Sequence, residues 1–274
     1  MIKDFQNIEF LRSLYSDKDL ISFRGNFLKN NSNRKFSLRS FIIKLLSAPQ
    51  NKIILDIGCG DGSFLSKLHT AYPKNKYFGL DVADNVKCHK LKFLDYKIYD
   101  GKSRVYYKEK FDMIFCMHTA YHIEDLSAFF TTIKGYLKPN GVIIITTKSK
   151  LTFPKIESIF LKIVGKLNLK KYLKIGKHRE ESKFCFENGL NILKKHFTRR
   201  AFSINEYFLE NQVFVNDKKD LLKYIFSTNR YNILKYDLNK KIIEKYIKLW
   251  LEEIDKDQIF IDKYTEVVYL IKKL

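Results

Sequence analysis

An α/β fold on a mostly parallel sheet is predicted by three features of the chain. The apolar run 53–57 reads as a buried strand, and Gly58, Gly60 and Gly62 follow it at alternate positions. Phe64, Leu65 and Leu68 then recur at helical spacing, which completes a strand, tight turn and helix. Further short apolar runs at 77–82, 111–118 and 142–147 are separated by helical stretches. That alternation is the pattern of parallel strands covered by helices.

The glycine turn narrows the chemistry. Glycines admit positive φ and let a ligand approach the backbone, and the following helix offers unpaired N–H groups. A dinucleotide would need Gly-x-Gly-x-x-Gly with its pyrophosphate against the turn. Here the third glycine comes one residue early, and Asp56 and Asp61 would repel a pyrophosphate. They suit a ligand with no phosphate and a cationic end, such as S-adenosylmethionine. For the turn taken alone, an ordinary strand-to-helix turn and a drifted dinucleotide fingerprint stay open.

Asp56-x-Gly58-x-Gly60-x-Gly62 resembles motif I of the class I S-adenosylmethionine-dependent methyltransferases of small-molecule type. The resemblance implies a Rossmann-like fold: a mostly parallel seven-stranded sheet with an antiparallel C-terminal strand and helices on both faces. It also implies S-adenosyl-L-methionine as cofactor, held by Asp56, Gly58, Cys59, Gly60 and Gly62.

Three more landmarks follow in order. The run 77–82 closes on Asp81 and Val82, about 20 residues past the turn, where a carboxylate can accept hydrogen bonds from ribose hydroxyls. Phe111-Asp112 leads through an apolar run to Met117 and His118, which the resemblance places beside the cofactor, and Tyr121-His122-Ile123-Glu124-Asp125 continues the family pattern. Leu137-Lys138-Pro139-Asn140-Gly141 stands where the family has Leu-Lys-Pro-Gly-Gly; Asn also visits positive φ. Between them, 94–101 is read as the third strand, and Asp100 and Gly101 are the adenine-side residues implied by the resemblance. Asp95 competes with Asp100 for that role.

The flanking segments read as helical. Residues 1–47 read as helices, with 23–27 and 30–33 as loop; the resemblance implies that they cap the cofactor or substrate, packing on the sheet edge stays open, and 48–147 read as the cofactor core. Residues 148–197 read as helical, with the amphipathic stretch 156–167 and a second helix after Phe184-Cys185-Phe186-Glu187-Asn188-Gly189; the resemblance implies a lid insertion over the substrate, and an ordinary surface helical pair stays open. Residues 198–274 supply the last strands and two helices, one capped by Asp217, another with Ile243, Ile247, Trp250 and Ile254 on one face. With no repeat and no linker, the chain reads as one domain.

Composition bounds the partners. With 274 residues, 45% hydrophobic and mean hydropathy −0.28, the chain reads as a globular protein. No apolar run approaches ~20 residues and no leader is evident, so the expected site is the cytoplasm, without a membrane span. Cys59, Cys88, Cys116 and Cys185 are too scattered for a zinc site or a redox pair, so no metal is expected. The net charge of +21 keeps a nucleic-acid partner open. Against it, the basic residues are mostly lysine in a chain rich in Ile, Asn, Phe and Tyr, which a low-GC genome would also produce. Arginine, the better phosphate fork, is sparse.

The reaction implied is in-line displacement at a sulfonium methyl, where the protein chiefly binds and aligns. If the acceptor is a hydroxyl, a base helps, and His118, Tyr121 and His122 are the candidates at the end of the fourth strand. The expected acceptor is a small molecule, through O or N. A tRNA or rRNA methyltransferase and a non-catalytic partner subunit of the same fold are the alternatives. The amino-directed Asn-Pro-Pro-Tyr signature is absent after the fourth strand.

Overall fold

The alternating apolar runs assemble into a single seven-stranded sheet in which the strands lie in the order 94–98, 76–81, 53–57, 111–117, 137–148, 260–273 and 202–215. The computed structural model describes residues 8–33, 37–47, 49–85, 91–99, 107–168, 183–228, 231, 240–253 and 259–274. Strands β1 (Ile53–Ile57), β2 (Lys76–Asp81), β3 (Leu94–Ile98), β4 (Phe111–Met117) and β5 (Leu137–Lys148) pair in parallel. β7 (Phe260–Lys273) runs antiparallel to β5, and β6 (Phe202–Val215) antiparallel to β7. The chain moves outward from β1 to β3, then returns to place β4 on the other side of β1. That reversal is the switch point at which open α/β sheets bind ligands, beyond the carboxyl ends of the strands.

The central strands β1, β2, β4 and β5 are buried on both faces, which is why they read as continuous apolar runs. Neighbouring residues of β1 serve opposite faces. Ile54 joins Phe115 and Ile144 under α3 (Leu38–Leu45) and α4 (Ser63–Ala71), packed by Ile42, Phe64 and Leu68. Leu55 joins Ile114 and Ile145 under α5 (Leu126–Tyr136) and, farther along, Leu193 of the later helix Phe186–His196. Burying each such side chain contributes about 1.5–3 kcal/mol.

A third apolar cluster was not foreseen. β6 and β7 pair from Phe202↔Lys273 to Val215↔Phe260, yet β7 meets β5 only from Glu266 to Lys272. The outer half of the hairpin therefore projects past the sheet. One of its faces carries α2 (Lys18–Asn31), α6 (Pro154–Lys166), the helix Lys218–Ser227 and the helix Lys240–Glu253, around Phe27, Phe160, Val213, Tyr224 and Ile247. We label α1 (Ile8–Tyr15) and, after α6, α7 (Phe186–His196), α8 (Lys218–Ser227) and α9 (Lys240–Glu253). Asp262 of the projecting β7 caps α6 by accepting from the N–H groups of Lys155 and Ile156 at 3.1 Å each.

Several expectations change. Residues 23–27, read as loop around Gly25, lie inside α2. Phe23 and Phe27 are four apart on one helix face, and Phe27 stacks on Tyr224 with centroids 4.2 Å apart, so tertiary packing overrides the glycine signal. Residues 148–197 do not pack as one unit: α6 belongs to the projecting cluster, whereas α7 lies against the sheet through Leu193. β3 ends at Ile98, short of the expected Asp100. Trp250 is half-buried, and Ile243, Ile247 and Leu251 carry the apolar face of α9; Ile254 and Cys88 lie outside the described residues. Among the described residues, no helix is long and apolar enough to cross a membrane.

Candidate functional site

The switch point sets the glycine turn against the end of β4. Gly58, Gly60 and Gly62 have φ of +77°, +59° and +74°, all left-handed. The N–H groups of Gly58 and Cys59 donate to the Leu80 carbonyl at 2.7 and 3.0 Å, which locks the turn onto β2. A Cβ on Gly58 would collide with the Thr119 side chain, whereas one on Gly60 would meet nothing within 4 Å. Gly58 thus serves the packing of the turn on the β4 loop, and Gly60 keeps its open side clear. Cys59 is buried against Gly79, and burial, with Asp56 adding to it, holds its thiol well above the usual range. It is a packing residue and no nucleophile.

Asp56 ends the buried run of β1 at 1% exposure, and neither carboxylate oxygen has a hydrogen-bond partner. Burial pushes its carboxyl up to about 7; Arg39 opposes the shift and Asp81 adds to it. Arg39 reaches over from α3 and donates to Ser63 Oγ at 2.7 Å, at the start of α4. Asp81 closes β2 at 9% exposure. Its Oδ2 accepts from Gly60 N–H at 2.7 Å and its Oδ1 from Ala83 N–H at 2.9 Å. Burial raises the Asp81 carboxyl, and the bonds from Ala83 and Gly60 oppose that rise. Each Asp81 oxygen retains a lone pair for a further donor.

The next loop is strapped by α1. Arg12 Nε donates to the Val82 carbonyl at 3.0 Å, and Asn85 Nδ2 donates to the Tyr15 carbonyl at 2.6 Å. Asp95 is exposed and pairs with Phe78, three residues short of the β2 carboxyl end, so it does not share the edge that carries Asp81. Asp100 and Gly101 lie outside the described residues.

At the end of β4, Met117 is half-buried on the face that carries Asp56. His118 takes φ +53°, its N–H meets the Thr146 carbonyl and hydroxyl at 3.1 Å each, and its ring Nε2 lies 3.2 Å from Glu266 Oε1 of β7. One residue thereby ties three strands at the ligand edge. Tyr121 is buried in the sheet core beside Ala120 and Ile123. His122, half-buried, places Nε2 3.0 Å from the Tyr15 hydroxyl, with the rings edge-on at 5.6 Å. Of the sequence-predicted residues, the structure gathers Asp56, Gly58, Cys59, Gly60, Gly62, Asp81, Met117 and His118 around the switch point. It adds three that motif spacing could not show: Arg39, Tyr15 and Glu266, each joined to the site from a distant segment.

These residues fit S-adenosylmethionine. The orphaned Asp56 carboxylate suits a cation donor, Gly60 leaves room for close approach, Asp81 has lone pairs for ribose hydroxyls, and Arg39 supplies a counter-charge for a carboxylate. A doubly wound sheet with this turn and this acidic strand end at its switch point defines a nucleoside-binding enzyme of Rossmann-like class. The chain belongs to the methyltransferase family, whose Methyltransferase domain model matches residues 31–186.

Relatives agree. A ubiquinone biosynthesis O-methyltransferase of Pelagibacter ubique is 31% identical over 63% of this chain and 70% of its own length. A tRNA U34 carboxymethyltransferase of Nautilia profundicola is 28% identical over 40% of each chain. The plantazolicin methyltransferase BpumL, solved with S-adenosylhomocysteine and a substrate analogue, shares the fold at TM-score 0.53 and 18% identity, covering 100% of this chain and 98% of that one. The protein is an S-adenosylmethionine-dependent methyltransferase.

Proposed function

We propose that the chain methylates the oxygen of a small hydroxylated acceptor, and that His122 and Tyr15 handle the acceptor's proton. The 3.0 Å contact between the Tyr15 hydroxyl and His122 Nε2 carries this reading. When bound, the cofactor supplies a sulfonium-activated methyl group, and the breaking S–C bond leaves its electrons on sulfur. The acceptor proton must leave as the new O–C bond forms. Tyr15 can give its proton to His122 Nε2 while taking one from the acceptor, so that the charge ends on the imidazole.

His118, held by Glu266, shapes the wall beside that pair, and Tyr121 supports it from the core. Helix α1 serves as a lid: it joins the β2 loop, through Arg12, to the β4 loop, through Tyr15. The projecting hairpin and helices α2, α6, α8 and α9 form the acceptor-side cap. The relatives named for ubiquinone O-methylation support a hydroxylated acceptor. Free thiols at Cys59, Cys116 and Cys185 fit a reducing cytoplasm.

A second reading, an RNA acceptor, has the +21 charge and the tRNA-modifying relative in its favour. One experiment separates the two. The protein, cofactor with a labelled methyl group, and parallel panels of phenols, amines, carboxylic acids and tRNA are incubated together. Label on a phenol supports the proposal; label on tRNA alone, or on amines alone, overturns it.

A further inference from the structure

The two other buried carboxylates at this edge of the sheet are satisfied: Asp81 accepts from two backbone N–H groups, and Glu266 meets His118. Asp56 differs from both in having neither oxygen hydrogen-bonded, at 1% exposure, directly before the glycine turn. The charged and titratable groups that act on it come from every side. Arg39 of α3 attracts, Asp81 of β2 repels, and the thiols of Cys59 in the turn and Cys116 in β4 lie close.

An ionised carboxylate without donors in such a place costs several kcal/mol, so the neutral form is favoured until a donor arrives. Arg39 does not serve as that donor, since its guanidinium bonds Ser63 Oγ and makes no hydrogen bond to Asp56. The open side of Gly60 leaves the approach free for one.

We infer that Asp56 carries a proton in the cofactor-free protein and releases it to solvent when the cofactor's ammonium binds. This rests on the assignment of the glycine turn as the cofactor site. The ammonium then takes the place of the proton as the partner of the carboxylate. Burial, which pushes this carboxyl up to about 7, puts the exchange in the neutral range. Cofactor affinity accordingly rises with pH until Asp56 is ionised in the free protein and levels off above that.

The test is calorimetric titration with S-adenosylhomocysteine, which carries the same ammonium, in two buffers of different ionisation heat. About one proton is released per ligand at about pH 6 and almost none at about pH 8, and binding is about tenfold tighter at the higher pH. The Asp56→Asn variant shows neither the release nor the slope. Equal heats in both buffers at about pH 6 overturn the inference, as does a slope that survives in Asp56→Asn, which would put the proton on His118 or His122. The first of these comes from the unaltered protein and holds even if the variant does not fold. Absence of binding at any pH overturns the cofactor-site assignment itself, and the inference with it.

Discussion

The Tyr15 hydroxyl lies 3.0 Å from His122 Nε2, although the two residues are 107 positions apart in the chain. One comes from the first described helix, the other from the turn that ends β4. Their meeting depends on α1 crossing the carboxyl edge of the sheet. Arg12 and Asn85 hold it there through the Val82 and Tyr15 carbonyls.

Tyr15→Phe keeps the ring and removes the hydroxyl. With a hydroxylated acceptor, we expect kcat to fall about 10²-fold or more, with S-adenosylhomocysteine affinity unchanged. His122→Asn should do the same, and the double variant should be little worse than either alone, because the two act as a unit. Steady-state kinetics with calorimetric binding check this; an additive double variant would separate the pair.

The glycines predict a contrast. Gly58→Ala must hold φ +77° and collide with Thr119, so thermal unfolding should show a loss above about 2 kcal/mol. Gly60→Ala meets no neighbour and should lose only about 1 kcal/mol, the left-handed backbone cost. Yet Gly60→Ala should lose cofactor binding, since its Cβ fills the side from which the ligand approaches. A Gly60→Ala protein with unchanged affinity would contradict the assignment.

Asp81→Ala removes the carboxylate that accepts from Gly60 and Ala83. Loss of charge-assisted bonds to ribose hydroxyls costs about 1.5–3 kcal/mol, or about 10- to 100-fold in the dissociation constant. Calorimetry reads this directly. A smaller loss in Asp81→Asn than in Asp81→Ala is expected, because the amide oxygen still accepts.

Asp56 also sets a pH dependence of stability without ligand. Its folded-state carboxyl is raised from 3.8 to about 7, so the folded protein holds a proton that the unfolded chain releases earlier. That contribution is complete below the unfolded value and is lost as pH rises through about 7. Asp56→Asn should therefore be more stable than the parent at about pH 8, by about 4 kcal/mol, with the gain all but gone at about pH 4. Denaturant unfolding at the two pH values measures it.

Much of the core was legible because its signals are local. The 53–57 run, the alternate glycines and Asp81 each follow from short-range chain chemistry, and the structure puts them at the switch point. Asn140 takes φ +58° and Asp217 accepts from Lys219 N–H, as turn and capping preferences predict. Phe23–Phe27 misled because a glycine and a polar stretch outweighed two aromatics spaced for one helix face. Only the partner Tyr224, some 200 residues on, settles that face.

The sequence by itself determined the doubly wound sheet, the left-handed glycine turn and the acidic strand end, since each is a short run whose conformation its own residues prefer. Tertiary structure alone decided which distant groups face that turn. It brought Arg39 to the start of α4 and Glu266 to His118, left Asp56 without a partner, and drew β6 and β7 past the sheet to carry a second core. The reason is physical. Burial, desolvation and a 3 Å contact between remote side chains come from packing of the whole chain, and no local spacing encodes them.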